Sequence, residues 1–244
     1  DYQRWAENPG LDKWDYAHCL PYFKRSENCL TGGPPFRGSS GPLILERGPA
    51  NNPLFDAFFK AVQQAGYHLT EDVNGYRQEG FSRFDRNIQR GRRWSAARAY
   101  LHPVKHRRNL RIETSTVTSR LLLEGNRVVG VECNNRQIRA GQVIVCAGAI
   151  NTPQLLQLSG IGNAKELEAL GIRVAHHLPG VGENLQDHLE VYIQHACKQP
   201  VSMNPYLSWY RKPWIGMQWL LFKSGPAATN HFEAGGFIRS NSLV

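Results

Sequence analysis

A chain of 244 residues with 41% hydrophobic side chains is long enough for one large folded domain or two small ones, and no run approaches the ~20 apolar residues of a membrane span. Five cysteines (Cys19, Cys29, Cys133, Cys146 and Cys197) form no C-x-x-C pair and leave an odd count. That argues against a disulfide framework or structural zinc and for a reducing, intracellular setting, cytoplasmic or peripheral on the inner face of a membrane. The formal charge of +9 is uneven, because ten of the 29 Lys and Arg residues fall between Arg83 and Arg111, where Asp85 is the only acid. No zinc finger, RNA-binding core or basic zipper accompanies that run. It reads first as a solvated face, and only weakly as a nucleic-acid or anionic-membrane surface.

The first stretch, Asp1–Glu27, is rich in aromatics, with Tyr2, Trp5, Trp14, Tyr16, Tyr22 and Phe23 spaced as core residues usually are. Asp15 is placed to cap a short helix ending before Pro21, with a second helix from Leu20. Four glycines and three prolines in Thr31–Pro42 make a loop. Leu54, Phe55, Phe58, Phe59, Val62 and Ala65 recur at helical spacing over Pro53–Gly66, and Gly66 ends that helix. Glu71 and Asp72 are adjacent loop carboxylates, read as solvated. Ser95 caps a short helix over Ala96–Leu101 that Pro103 closes. His102 and His106 sit four apart, but Pro103 between them speaks against a metal pair. The opening Asp1-Tyr2-Gln3-Arg4-Trp5 has no leader signature and both ends read as interrupted, so the chain is expected to be an internal piece of a longer protein.

Leu110–Val145 reads as strands. Leu110–Glu113 alternates, Val117–Leu123 and Arg127–Cys133 flank the hairpin loop Glu124-Gly125-Asn126, and Gln137–Ala140 follows. Gln142–Cys146 is an apolar run suited to a strand buried on both faces. It leads through the tiny side chains Ala147-Gly148-Ala149 into a helix expected at Pro153–Leu158, capped by Thr152. Strand, small-residue crossing and helix N-terminus together form a place where backbone meets a flat or phosphate-bearing ligand. Ala164–Leu170 is a short amphipathic helix ended by Gly171. Asp187-His188 has no nucleophile nearby in sequence and reads as structural. Trp209, Tyr210, Trp214 and Trp219 crowd Ser208–Phe222 as core or a lid, and Glu233 precedes Ala234-Gly235-Gly236.

Five strings carry a family resemblance. Gly148–Gly162, GAINTPQLLQLSGIG, resembles the second signature motif of the glucose–methanol–choline (GMC) flavin oxidoreductases. DKWDYAHCLPYFKRSE, GRRWSAARAYL and LPGVGENLQDH are similar to three further family elements, and NHFEAGGFIRS resembles the choline-oxidising branch.

The resemblance implies an α/β fold: part of an FAD-binding domain of the glutathione-reductase type with a β-meander, plus part of a GMC substrate-binding domain. It divides the chain into an aromatic, loop-rich cover (1–42), a substrate-domain part (43–93), an FAD-domain part (94–187) and a second substrate-domain part (188–244). FAD is expected along Cys146-Ala147-Gly148, with adenine on the main chain of Val117 or Thr118, the choice between them open. A glutamate in the Glu233 position is expected to hold the trimethylammonium head of choline. Such a cation has no N–H to donate and seeks a carboxylate's field and aromatic faces. No catalytic residue and no metal ligand is assigned, because the family's histidine base lies in a C-terminal segment this chain lacks. The phosphate-gripping G-x-G-x-x-G turn is also absent, since Gly160-x-Gly162 follows a helix. Another alcohol in place of choline stays open, and the electron acceptor is not readable.

Overall fold

The computed structural model of the chain describes residues 1–240. In chain order its main elements are helices α1 (Tyr2–Ala6) and α2 (Tyr16–Ser26), strands β1 (Glu27–Cys29) and β2 (Leu43–Arg47), and helix α3 (Pro53–Gln64). The short strands β3 (Gly80–Arg83), β4 (Asp85–Arg86), β5 (Ile88–Gln89) and β6 (Arg92–Arg93) follow. Then come strands β7 (Thr118–Glu124), β8 (Arg127–Cys133) and β9 (Arg136–Arg139), helix α4 (Gly148–Leu158), strand β10 (Ile161–Gly162), helix α5 (Ala164–Ala169) and strand β11 (His176–His177). Helix α6 (Lys212–Phe222) and strand β12 (Ala234–Phe237) complete the order. The chain sorts into two compact units, Asp1–Leu110 with the segment from His195 onward, and Arg111–Gln194.

In the first unit the caps form where the residue types place them. Asp15 accepts the His18 N–H at 2.8 Å, and Asn52 accepts that of Leu54 at 2.9 Å with Pro53 opening α3. One expected boundary fails: α2 runs unbroken through Pro21. Proline removes one N–H from the ladder and frees the carbonyl four residues back, and on this exposed helix water can take that carbonyl. The N-terminal aromatics are not core. Trp5, Trp14 and Tyr22 are exposed, and Tyr2, Trp5, Trp14 and Phe23 pack against one another as a surface cluster. Helix α6 is likewise largely exposed, with Trp214 and Phe222 outward, and is anchored by the Trp219 indole N–H donating to the Gly91 carbonyl at 2.6 Å.

Strand β2 pairs in parallel with β1 and antiparallel with β4, and β12 pairs antiparallel with β3. The register sets Ala234 opposite Arg83 and so brings Glu233, the residue before β12, beside β4. Asp72 is not free in solvent. It joins Glu27 and Asp85 around the buried Arg37 guanidinium at 2.8–3.0 Å, and Arg47 bonds the other Asp85 oxygen at 2.9 Å.

The second unit is built on the antiparallel meander β7-β8-β9, with Gly125 supplying the positive φ (58°) of the hairpin turn. Among the described residues neither Leu110–Glu113 nor Gln142–Cys146 is part of a ladder, and Ile144 is 78% exposed. A strand exists only where neighbours take its N–H and C=O groups, and among the described residues none do so for this segment. Helix α4 starts at Gly148, four residues before the expected Thr152 cap, and passes through Pro153.

Ser159 locks α4 onto the meander. Its hydroxyl oxygen accepts the Leu121 N–H of β7 at 2.8 Å and donates to the Leu155 carbonyl at 2.6 Å. At Gly160 the backbone is left-handed (φ 84°), and any Cβ would run into the Arg173 carbonyl. Ser159→Ala leaves the buried Leu121 donor without a partner. It is expected to lower stability of the full-length protein by about 1–3 kcal/mol, read as an earlier urea midpoint at constant slope; an unmoved midpoint contradicts this lock.

Candidate functional site

In the second unit, Val117, Thr118 and Ala147 lie on the wall of one cavity of about 500 Å3, together with Val143, Val145, Asn151 and Leu155. Gly148, with φ of 94°, turns the chain from that wall into the first residue of α4. No side chain caps the α4 N-terminus, so its first N–H groups are available to an acceptor. The main chain of Val117 is already engaged by Asn134: its N–H donates to the Asn134 Oδ1 and its carbonyl accepts the Asn134 N–H, each at 3.2 Å. Thr118 sits opposite Cys133, with its hydroxyl 3.2 Å from the thiol sulfur. Residues 117, 118 and 147, from segments thirty residues apart, thus share the lining of one cavity, and Gly148 follows Ala147 outside that lining as the first residue of α4.

Glu233, in the first unit, is 4% exposed. Its Oε1 accepts from Arg86 Nη1 at 2.7 Å and from the Thr229 hydroxyl, and its Oε2 accepts the Ala50 N–H at 2.7 Å. The second arm of Arg86, Nη2, reaches Glu46 at 3.1 Å. Two carboxylates and one guanidinium make a cluster with a formal charge of −1. Arg86 and Glu233 line a cavity of about 630 Å3 whose other walls include Leu54, Phe55, Met203, Tyr206 and His231. An excess negative charge held rigidly beside aromatic and apolar walls can attract a bulky cation that offers no hydrogen bonds.

Sequence reasoning singled out Glu233 as a candidate but not the groups it is bonded to. Arg86 was counted in the basic run Arg83–Arg111, yet it is buried and ion-paired to Glu46 and Glu233. The only signal that singles it out is its place two residues after Phe84, whose N–H bonds the Glu233 carbonyl at 2.9 Å, and that pairing is tertiary. Among the described residues Asp187 and His188 make no side-chain relay, and the Asp187 carboxylate accepts the His188 main-chain N–H at 2.8 Å.

A slot beside a helix with no side-chain cap, carried on a β-meander, is of the kind that suits a nucleotide in an α/β unit, and the other unit of the chain has a cavity lined by the Arg86–Glu233 ion pair. The chain belongs to the GMC oxidoreductase family: residues 1–190 match the family's model, described as GMC oxidoreductase. It is 57% identical over its whole length to the oxygen-dependent choline dehydrogenase of Staphylococcus saprophyticus, and 55% identical to that of Staphylococcus aureus strain Newman. The chain spans 45% and 44% of those relatives. Among solved structures, formate oxidase of Aspergillus oryzae matches 98% of the chain at 25% identity with a TM-score of 0.83, over 44% of its own length. Pyridoxine 4-oxidase from Mesorbium loti matches 73% at 36% identity with a TM-score of 0.67, over 36% of its own length. The α/β fold class and the family expected from the motifs both hold.

Proposed function

We propose that this chain is part of an FAD-dependent choline dehydrogenase, an enzyme moving a hydride from the hydroxyl-bearing carbon of choline to FAD. The product is betaine aldehyde, and a second oxidation gives glycine betaine. The observation that carries the reading is Glu233 on a cavity walled by Phe55 and Tyr206, with its partner Arg86 shared with Glu46 behind it so that the three groups together keep one negative charge. A trimethylammonium head is the ligand that such a site suits, with Glu233 as the nearest charge. The relatives named as choline dehydrogenases match the whole chain and support the same reading.

The slot at Val117, Thr118, Ala147 and Gly148 fits the adenosine half of FAD. Its walls are mostly apolar, its crossing carries no side chain larger than a methyl group, and among the described residues no side chain caps its helix N-terminus. FAD bound there supplies the hydride acceptor. The chain's own residues do the rest available to them: the meander and α4 hold the nucleotide, and the Glu233 cavity holds the substrate cation in place. Removal of the alcohol proton is not assigned to any residue of this chain. In this reading 94–187 is FAD-domain sequence, 1–42 its cover, and 43–93 and 188–244 belong to the substrate domain. The odd cysteine count without a C-x-x-C pair supports an intracellular setting. Separately, among the described residues no helix is long and apolar enough to cross a membrane.

The test is dye reduction by the flavin-loaded full-length protein with choline against 3,3-dimethylbutan-1-ol, the uncharged isostere. Choline is expected to be the better substrate by kcat/KM. Equal rates, or none with choline, refute the assignment and favour a GMC enzyme for another alcohol. The 244-residue chain alone, purified in parallel, is expected to retain little flavin, because it spans less than half of its relatives; stoichiometric yellow flavin would contradict this.

A further inference from the structure

We propose that Arg86 and Glu46 set the enzyme's selectivity for a charged alcohol by aiming Glu233 and fixing the charge of its cavity; this rests on the reading of that cavity as the substrate site. Arg86 is a positioning residue here, since it acts through Glu233. Its two arms are divided, Nη1 to Glu233 at 2.7 Å and Nη2 to Glu46 at 3.1 Å. A guanidinium paired with Glu233 alone would cancel the charge that a cation needs. Shared with Glu46, it leaves one negative charge over. The remaining Glu233 bonds, from Thr229 and from the Ala50 N–H at 2.7 Å, come from two other segments and hold the carboxylate in one orientation.

A second feature sets this ion pair apart from a structural staple. Arg86 is 8% exposed, and among the described residues its buried Nε–H has no hydrogen-bond partner. Buried donors are nearly always satisfied, and those left unpaired mark places where geometry is imposed by something other than stability. Gly48 belongs to the same construction: a Cβ there would meet the Glu233 Cβ at 2.9 Å, so the loop after β2 is shaped around this side chain.

The groups facing Glu233 are Arg86, Glu46 through Arg86, and His231 and Tyr206 across the cavity. Removing Arg86 leaves a buried carboxylate with no counter-ion, which then favours its protonated form. The experiment uses the flavin-loaded full-length enzyme and reads the ratio of kcat/KM for choline to that for 3,3-dimethylbutan-1-ol. Glu46→Gln leaves Arg86 to neutralise Glu233 alone and is expected to lower that ratio by about tenfold, the scale of one nearby charge. Because Glu46 is partly exposed, this variant avoids the folding risk of opening the buried pair. Arg86→Gln is expected to lower the ratio similarly, through KM for choline, with the ratio climbing again as pH rises; Arg86→Lys restores most of it, with a flat profile. An unmoved ratio in Glu46→Gln overturns the proposal. So does an Arg86→Gln enzyme that loses activity on both alcohols in proportion, at every pH. Failure of the unsubstituted, flavin-loaded enzyme to oxidise choline is seen before any substitution and refutes the underlying substrate assignment instead.

Discussion

If the proposed substrate site is right, Glu233→Gln is expected to raise the KM for choline about 10- to 100-fold in the full-length enzyme, to leave kcat much less changed, and hardly to alter KM for the uncharged isostere. Glu233 is the carboxylate lining the cavity, and the amide keeps its shape while removing its charge. A unit charge ~5 Å from a cation is worth about 3 kcal/mol at an effective dielectric near 20. Arg86 then answers to Glu46 alone, so the cluster falls from −1 to zero. The amide oxygen can still accept from Arg86, but one of its ends must set an NH2 group against the Ala50 N–H or the Arg86 donor. A drop in stability of about 1–3 kcal/mol accompanies the substitution for that reason. Steady-state kinetics on both alcohols separate the two effects. Equal rises in KM for the charged and uncharged substrates would mean the cavity had merely been disturbed.

The second large effect is on folding. Arg37→Met is expected to destabilise the protein by about 3–5 kcal/mol, because it strands buried charges rather than removing a surface bridge. The Arg37 side chain is 4% exposed and is the shared counter-ion of Glu27, Asp72 and Asp85. Burial alone would pull its pKa down, yet the bonds from Glu27, Asp72 and Asp85 outweigh that and hold it above its ordinary value. Burial likewise pushes the Asp85 carboxyl up, but the hydrogen bonds and charges of Arg47 and Arg37 outweigh it and leave its pKa below the usual 3.8. A depressed carboxylate pKa stabilises the fold above the unfolded value, and that contribution is lost as pH falls through the folded one. Chemical melts should therefore show the deficit of Arg37→Met in full near pH 7. It should narrow below about pH 4, where protonation begins to weaken the parent's own cluster. A variant as stable as the parent at pH 7 would show that this cluster is solvated and dispensable.

Local physics was legible from residue types alone. Asp15 and Asn52 cap helices because short acceptors at those positions meet free N–H groups whatever the rest of the fold does. The Gly125 hairpin and the Gly66 and Gly171 stops follow from positive φ angles. The string Gly148–Gly162 was enough to name the family because it fixes backbone at one crossing, residue by residue. The readings that failed turned on context. Pro21 and Pro153 were read as helix boundaries, yet both lie within helices. The apolar Gln142–Cys146 has no ladder among the described residues, since pattern sets which faces a strand shows and not which neighbours it finds.

By itself, then, the amino-acid order determined the caps, the hairpin, the small-residue crossing and the identity of the acid at 233, each an interaction spanning a few residues. Only the tertiary structure decided what surrounds that acid. Arg86 stands 147 positions away from Glu233 and Ala50 stands 183 away. Electrostatics depends on distance in space, and the chain brings these groups within 2.7 Å only after β3 and β12 have paired.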